Sequence, residues 1–437
     1  MLLETRLKKL ISDKQLKFTL ELEKATHAGF FTAWSFSDES IFMSAFNANE
    51  QTPNDLEEKV CHPNFDLASL TKPLFGISSL LYLFKDDKEG FLLKNINELL
   101  EDMGIPSSVA FARILNKSFL KDTPLIHLLN HESSLLPWLW TGYSFRDVLS
   151  KRHQNKSKVS FQQIVTENVL KQILKAKTKS KDVIYSDLGY IFLGLLINEI
   201  LNDKNQSFPS LLSKLNSHIG SHYRHASINP ELSKDAIPYY PYTIVSKMRT
   251  LEEDKDFGPV HDTNANIFAS QKNKDSNIVS CHAGLFGNLF DIEKSIIFLR
   301  HQISEIKDKH LYKNKRFFLG LDTKQSSQET FLGHLGYTGT SFWFSQKNDF
   351  KRVLLTNRTS HIKKNSFNVP RYFIITQKES NMSYYVRVFN GSYDFTDALT
   401  TKKEIKDINE KYKSVWDDSY ILKPKNINPL RNILFDV

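Results

Sequence analysis

The stretch FDLASLTKP, residues 65 to 73, sets Ser69 three positions ahead of Lys72 in an otherwise apolar segment that runs into Pro73. A serine hydroxyl becomes a useful nucleophile only when a neighbouring base takes its proton. A lysine amine one helical turn along can do so if its site holds it neutral. At this spacing the two side chains share a helix face, and proline is tolerated in a first turn, so the serine falls at a helix N-terminus. The same spacing is equally one turn of an ordinary helix. A second group, His218, His222 and His225 in SHIGSHYRH, has helix-like spacing that could present three imidazoles to a metal. Gly220 lies between them and no carboxylate or cysteine partner stands close by, so a surface helix end is the preferred reading and no metal is expected. HESSL, from His131, lacks the second histidine of a zinc-protease motif, and no G-x-S-x-G elbow, P-loop or dinucleotide glycine fingerprint occurs.

Two downstream stretches bear on the serine. IYSDLGYIFLG (184 to 194) carries Tyr185 and Asp187, and FLGHLGYTGTSFWF (331 to 344) carries His334, Gly336 and Tyr337. With FDLASLTKP they resemble, in order, the three site motifs of the serine hydrolases related to class C β-lactamases and low-molecular-weight penicillin-binding proteins, in the esterase-like branch. LIHLLNHESSLLPW (125 to 138), PVHDTNA (259 to 265), CHAGLFG (281 to 287) and LLTNRTSH (354 to 361) resemble further segments of that superfamily, so the resemblance covers about residues 25 to 362.

The resemblance implies Ser69 as nucleophile, with a neutral Lys72 and Tyr185 taking its proton and His334 tuning the tyrosine or orienting substrate. The N–H groups of Ser69 and Tyr337 would form an oxyanion hole, and Gly336 would let the substrate carbonyl approach the backbone. Asp187, where β-lactamases usually carry asparagine, is placed with Gly336 and Tyr337 on the substrate side. The third motif is expected on an edge strand that closes the site, with Trp138, Trp140, Tyr337 and Trp343 bordering the cleft. The CHAGLFG loop falls beside the chemistry, which makes Cys281 a packed or exposed thiol rather than a nucleophile. The implied reaction is acyl transfer from a small-molecule ester or amide through a Ser acyl-enzyme, without a cofactor. His334 in the usual lysine position and Leu335 in place of a hydroxyl residue point away from β-lactams. Two alternatives stand beside it: a D-alanyl peptidase of the penicillin-binding-protein kind, and a catalytically silent member that binds a ligand or partner. The altered 259 to 287 region and an unmatched tail from about residue 363 speak for the silent member.

The elements that must hold these residues follow from the hydrophobic pattern. FFTAWSF and SIFMSAF read as two strands across a tight polar turn, and FFLGL, SFWFS, RVLLTN, RYFIITQ and YYVRVFN as later strands. Between them, from Pro73 to about residue 255, apolar residues recur at three- and four-residue intervals, as in FQQIVTENVLKQILKA and LGYIFLGLLINEILN. Residues 256 to 279 read as a polar loop, and DIEKSIIFLR as a helix capped by Asp291. The expected class is α+β of the β-lactamase/transpeptidase kind: an antiparallel sheet flanked by helices, with an inserted mostly helical domain. The expected units are a discontinuous sheet domain of residues 1–72 and 275–362, a helical domain of residues 73–274 and a C-terminal extension of residues 363–437.

At 437 residues and 40% hydrophobic content the chain can bury a substantial core. Its net charge of +9 comes from scattered lysine-rich stretches such as KRHQNKSK and KAKTKSK, without interleaved stacking aromatics, so no nucleic-acid partner is expected. MLLETRLKKLISDKQLKFTLELEKA reads as an amphipathic helix without the apolar centre of a signal peptide. The longest apolar run, YIFLGLLI, is far short of the ~20 residues that span a bilayer. With only two cysteines, Cys61 and Cys281, a cytoplasmic location away from membranes is expected.

Overall fold

The computed structural model describes residues 30–36, 39–45, 64–106, 109–139, 141, 161–178, 182–228, 260, 262–269, 278–325, 329–356, 371–377, 382–389 and 392–396. The N-terminal stretch read as an amphipathic helix, Cys61 and Trp140 lie outside these residues.

The chain opens with the expected hairpin, β1 (Phe30–Phe36) and β2 (Glu39–Ala45). Three short strands, β3 (Phe65–Asp66), β4 (Arg224–His225) and β5 (Leu285–Gly287), form a small antiparallel sheet in the order β3-β5-β4. Five strands follow: β6 (Phe317–Phe318), β7 (Leu321–Gln325), β8 (Thr330–Leu335), β9 (Ser341–Ser345) and β10 (Lys351–Thr356). With the hairpin they make a seven-stranded antiparallel sheet ordered β2-β1-β10-β9-β8-β7-β6. β11 (Arg371–Gln377), β12 (Met382–Phe389) and β13 (Ser392–Thr396) form a third antiparallel sheet. The architecture is therefore α+β, and strands from both ends of the helical stretch share one sheet.

β8, which carries the third motif, is not the edge strand the resemblance implied: β9 flanks it on one side and β7 on the other. The pairing with β7 ends at Gly333 opposite Asp322, whereas β9 pairs along β8 as far as Leu335. The last two residues, His334 and Leu335, thus have a strand on one side only. Apolar runs make strands such as β1, β2, β9, β10, β11 and β12 legible, whereas β3, β4 and β5 are two or three residues long and give no pattern. Strand order depends on pairing partners remote in sequence, which a local pattern does not encode.

The described residues hold ten α-helices: α1 (Ser78–Leu83), continuing a π-helical stretch Lys72–Ile77, α2 (Lys88–Leu93), α3 (Ile96–Asp102), α4 (Ala110–Leu115), α5 (Leu125–Leu129), α6 (Phe161–Lys175), α7 (Asp187–Asp203), α8 (Phe208–Ile219), α9 (Thr263–Phe268) and α10 (Leu289–Ser304). α7 is apolar nearly all round, and it is buried accordingly from Leu188 to Ile197. Ser186 caps its start by accepting the Gly189 N–H at 3.3 Å. α10 begins one turn earlier than its sequence suggests. Asn288 is the cap, and Asp291 sits at the third helical position, returning a bond to the Asn288 N–H in a capping box. α9 interrupts the stretch read as a polar loop, because Asp262 accepts the Ala265 N–H at 2.9 Å while Ala265, Ile267 and Phe268 are buried. One apolar core runs from α7 and its neighbours to Leu332, Phe342, Phe344, Val353 and Leu355 on the large sheet. Among the described residues no helix is long and apolar enough to cross a membrane.

Candidate active site

Strand β3 delivers the chain into the site. Its Asp66 pairs with Phe286 of β5, and the Asp66 carboxylate accepts the Ala68 N–H at 2.8 Å. Ala68 then adopts φ 48°, a left-handed conformation that costs a residue with a side chain, and Ser69 follows in a single 3₁₀ turn, Ala68–Leu70. The Thr71 hydroxyl donates to the Ala68 carbonyl at 2.6 Å and accepts the Leu285 N–H at 3.1 Å, which clamps this turn to β5. Ser69 is held at a sharp, over-determined bend and stays partly exposed.

Lys72 lies one turn on, fully buried. Its ammonium donates to Ser69 Oγ at 3.1 Å, to Asp187 Oδ1 at 2.6 Å and to the His282 carbonyl at 3.2 Å. It also lies 4.7 Å from the centre of the Tyr185 ring. Burial pushes its pKa down, but Asp187 above all, through its charge and hydrogen bond, with Tyr185 adding to it, outweighs burial and raises it above the usual lysine value. The expectation of a neutral lysine is corrected here: the resting Lys72 is an ammonium, because Asp187 is a carboxylate where an asparagine would have left the amine without a counter-ion. Asp187 itself moves from the substrate side to the lysine, at the first turn of α7, where a negative charge also suits the helix dipole.

Tyr185 precedes the α7 cap, and its hydroxyl is within hydrogen-bond reach of both Ser69 and Lys72. Burial raises its pKa, Lys72 lowers it and Asp187 raises it, with a net upward shift, so the resting group is a phenol. His334, on β8, is 1% exposed with its ring 6.0 Å from that of Tyr185. Burial is the main cause that lowers it to about 4; Asp322 opposes the shift and Lys72 adds to it, so the imidazole is neutral. Its Nδ1 bonds to the Leu335 carbonyl at 2.9 Å, and its Nε2 is buried without a partner.

The turn after β8 is fastened to the serine segment. Thr338 donates to the Asp66 carbonyl at 2.8 Å and Thr340 to the Leu67 carbonyl at 3.1 Å, while the Gly336 N–H donates to the Thr340 carbonyl at 2.7 Å. A Cβ on Gly336 would fall 2.9 Å from the Leu67 carbonyl and collide with the Thr340 hydroxyl, so only glycine allows this approach. The Tyr337 backbone is thereby carried beside the Ser69 turn, and Tyr337 is 40% exposed beside a 36% exposed Leu335.

No family model and no curated protein matches the chain. Among solved structures it is similar to EstCE1, a hydrolase with promiscuous acyltransferase activity, at a TM-score of 0.48 and 14% identity over 78% of this chain and 93% of that one. It is also similar to the octameric penicillin-binding protein homologue from Pyrococcus abyssi, with a TM-score of 0.48 and 12% identity over 87% and 89%. A third likeness is to a β-lactamase/D-alanine carboxypeptidase from Pseudomonas syringae, with a TM-score of 0.48 and 13% identity over 81% and 94%.

The remaining expected residues divide. Period-two alternation puts Trp343 opposite Gly333 and therefore on the sheet face away from His334, where it is 6% exposed; it does not border the site as expected. Trp138 is half-buried against the main core. Cys281 is a buried free thiol whose pKa burial drives upward. His225 is buried with Nε2 3.0 Å from the Ser280 carbonyl, whereas His218 packs on Tyr82 and Phe298, so the three histidines do not converge. The CHAGLFG loop contributes more than expected: the His282 carbonyl holds Lys72, and its Nε2 pairs with Asp262 at 2.7 Å. Burial disfavours the Asp262 charge, but His282 and the Ala265 N–H more than offset it and hold the carboxyl at about 2.

Proposed function

We propose that the protein is a serine hydrolase that cleaves a small ester or amide through an acyl-Ser69 intermediate. The observation that supports this best is the 3.1 Å bond from Lys72 to Ser69 Oγ, made by an ammonium that is buried and paired at 2.6 Å with Asp187. With Lys72 protonated at rest, the base for Ser69 is the lysine–aspartate pair rather than lysine alone. As Ser69 Oγ bonds to the substrate carbonyl carbon, its proton passes to Lys72 Nζ, directly or through the Tyr185 hydroxyl, while Lys72 gives a proton to Asp187 Oδ1. The lysine keeps its charge throughout, and the proton gained by Asp187 balances the negative charge that develops on the substrate oxygen. That oxyanion would be held by the Ser69 and Tyr337 N–H groups. Return of the proton through Tyr185 to the leaving group completes acylation, and water attack reverses the sequence to release the acid.

The charge pattern supports a neutral substrate. Lys72 is matched by Asp187, Arg316 by Asp322 at 3.0 Å, and His334 is uncharged, so these three groups present no unpaired cation to a substrate carboxylate. Short p-nitrophenyl esters are the first substrates to assay, with wild type beside Ser69→Ala. Turnover and fluorophosphonate labelling of the wild type alone support the reading. Covalent capture of a fluorescent penicillin without ester turnover would favour a D-alanyl peptidase instead. A wild type that does neither is a binding protein.

A further inference from the structure

His131, just beyond α5, has no part in the chemistry above, yet it brackets Tyr185. Its backbone has φ 62°, a strained left-handed conformation for a residue with a side chain. Its carbonyl accepts the Ile184 N–H at 3.2 Å and its ring Nδ1 accepts the Ser186 N–H at 3.1 Å, so one residue holds both chain neighbours of the tyrosine. Its ring packs 4.4 Å from the Tyr185 ring, centre to centre. Because Nδ1 accepts a backbone N–H, the neutral ring carries its proton on Nε2, which is buried without a partner. His334 is the opposite tautomer: its Nδ1 faces a carbonyl and must donate, leaving Nε2 a bare acceptor. Next to His131, Asn130 anchors the corner, accepting the Gly320 N–H at 2.7 Å and donating to the Tyr312 carbonyl at 3.0 Å.

We propose that His131 is a positioning residue of the Ser69 site, whose Nδ1 and carbonyl set where the Tyr185 hydroxyl meets Ser69 and Lys72. This rests on the hydrolase reading. The groups that act on His131 are Lys72, His334 and Arg316, with the rings of Tyr185, Tyr190 and Phe317 packed around it. Burial first, then those three residues, hold its pKa well below the usual histidine value, so Nδ1 remains an acceptor through neutral pH.

The test compares wild type with His131→Phe, which keeps an aromatic ring and loses the acceptor, and His131→Asn, which keeps an acceptor. With a p-nitrophenyl ester, H131F is expected to lower kcat by roughly tenfold or more with KM within about threefold, and to displace the alkaline limb of the kcat profile, where Tyr185 and Lys72 lose protons. H131N should recover most of kcat. A folded H131F with wild-type kcat and an unmoved alkaline limb overturns the proposal while leaving the hydrolase reading intact. A wild type without turnover or labelling overturns both. Should H131F fail to fold, nitrogen-15 NMR of the wild type decides: an Nε2-protonated His131 that does not titrate between about pH 8 and about pH 5 is expected, and an Nδ1-protonated or titrating ring overturns it.

Discussion

Between Ser69 and Asp187 a single ammonium makes three bonds, and the acidic one determines its state. Had position 187 been asparagine, burial would have driven Lys72 towards the free amine; with a carboxylate at 2.6 Å the charged form wins. Asp187→Asn is therefore expected to cut kcat on a p-nitrophenyl ester roughly 100-fold by removing the final proton acceptor. The same change should lower stability by about 3 kcal/mol, since it removes the ion pair that keeps the buried Lys72 charged, and urea titration would measure it. Ser69 and Lys72 can be picked out of the sequence by their spacing, whereas Tyr185 and His334 are reached only through the resemblance of their segments. The role of Asp187 is not legible there, since its partner is 115 residues away and only the fold brings them together. Nor is that of the His282 carbonyl, because every residue has one and side-chain type gives no sign of which is used.

At the scale of elements, the site is where three pieces meet: the β3 bend, the start of α7 and the turn between β8 and β9. Their alignment rests on a few bonds between backbone and threonine hydroxyls. Thr340→Val removes the bond to the Leu67 carbonyl, which then keeps the Leu70 N–H as its donor, and should cost about 1 kcal/mol in a urea titration. Gly336→Ala should be worse for catalysis than for folding, because the turn must lift from Leu67 and take Tyr337 with it. Loss of one oxyanion donor lowers kcat by roughly 100-fold or more with little change in KM, and steady-state kinetics would show it. The longer helices and the apolar strands of the large sheet can be read from the hydrophobic pattern, whereas α9 escapes it because six residues are too few to establish a helical period. The interior position of β8 depends on β6 and β7, whose pairing beside it no local pattern announces.

For the molecule as a whole, the consequence is sensitivity to acid. His225 and His334, both buried, have pKa values lowered to about 4 from the usual 6.5, and His131 is depressed as well, burial being the leading cause in each case. The unfolded chain binds protons at these rings from about pH 6.5 downward, while in the folded chain His225 and His334 stay neutral until about pH 4. Stability is thus fully present above about pH 6.5 and falls as the pH drops through that window, by about 3 kcal/mol for each of His225 and His334. Asp262 works the same way lower down: its folded value of about 2 lies under the ordinary 3.8, so its contribution is lost as the pH falls from about 4 towards 2. Lys72 acts at the other end, stabilising below its ordinary value of 10.5 and losing that contribution as the pH rises through its raised folded value. Urea midpoints should therefore be level near neutral pH and fall between about pH 6.5 and about pH 4. Replacing His334 by Gln should flatten part of that fall.

The nucleophile itself is most directly tested by intact-protein mass spectrometry after brief exposure to a fluorophosphonate, followed by peptide mapping. One adduct per chain, on Ser69, absent from Ser69→Ala and much slower in Asp187→Asn, is the expected result. An unmodified wild type, or an adduct that persists in Ser69→Ala, would contradict a nucleophilic Ser69.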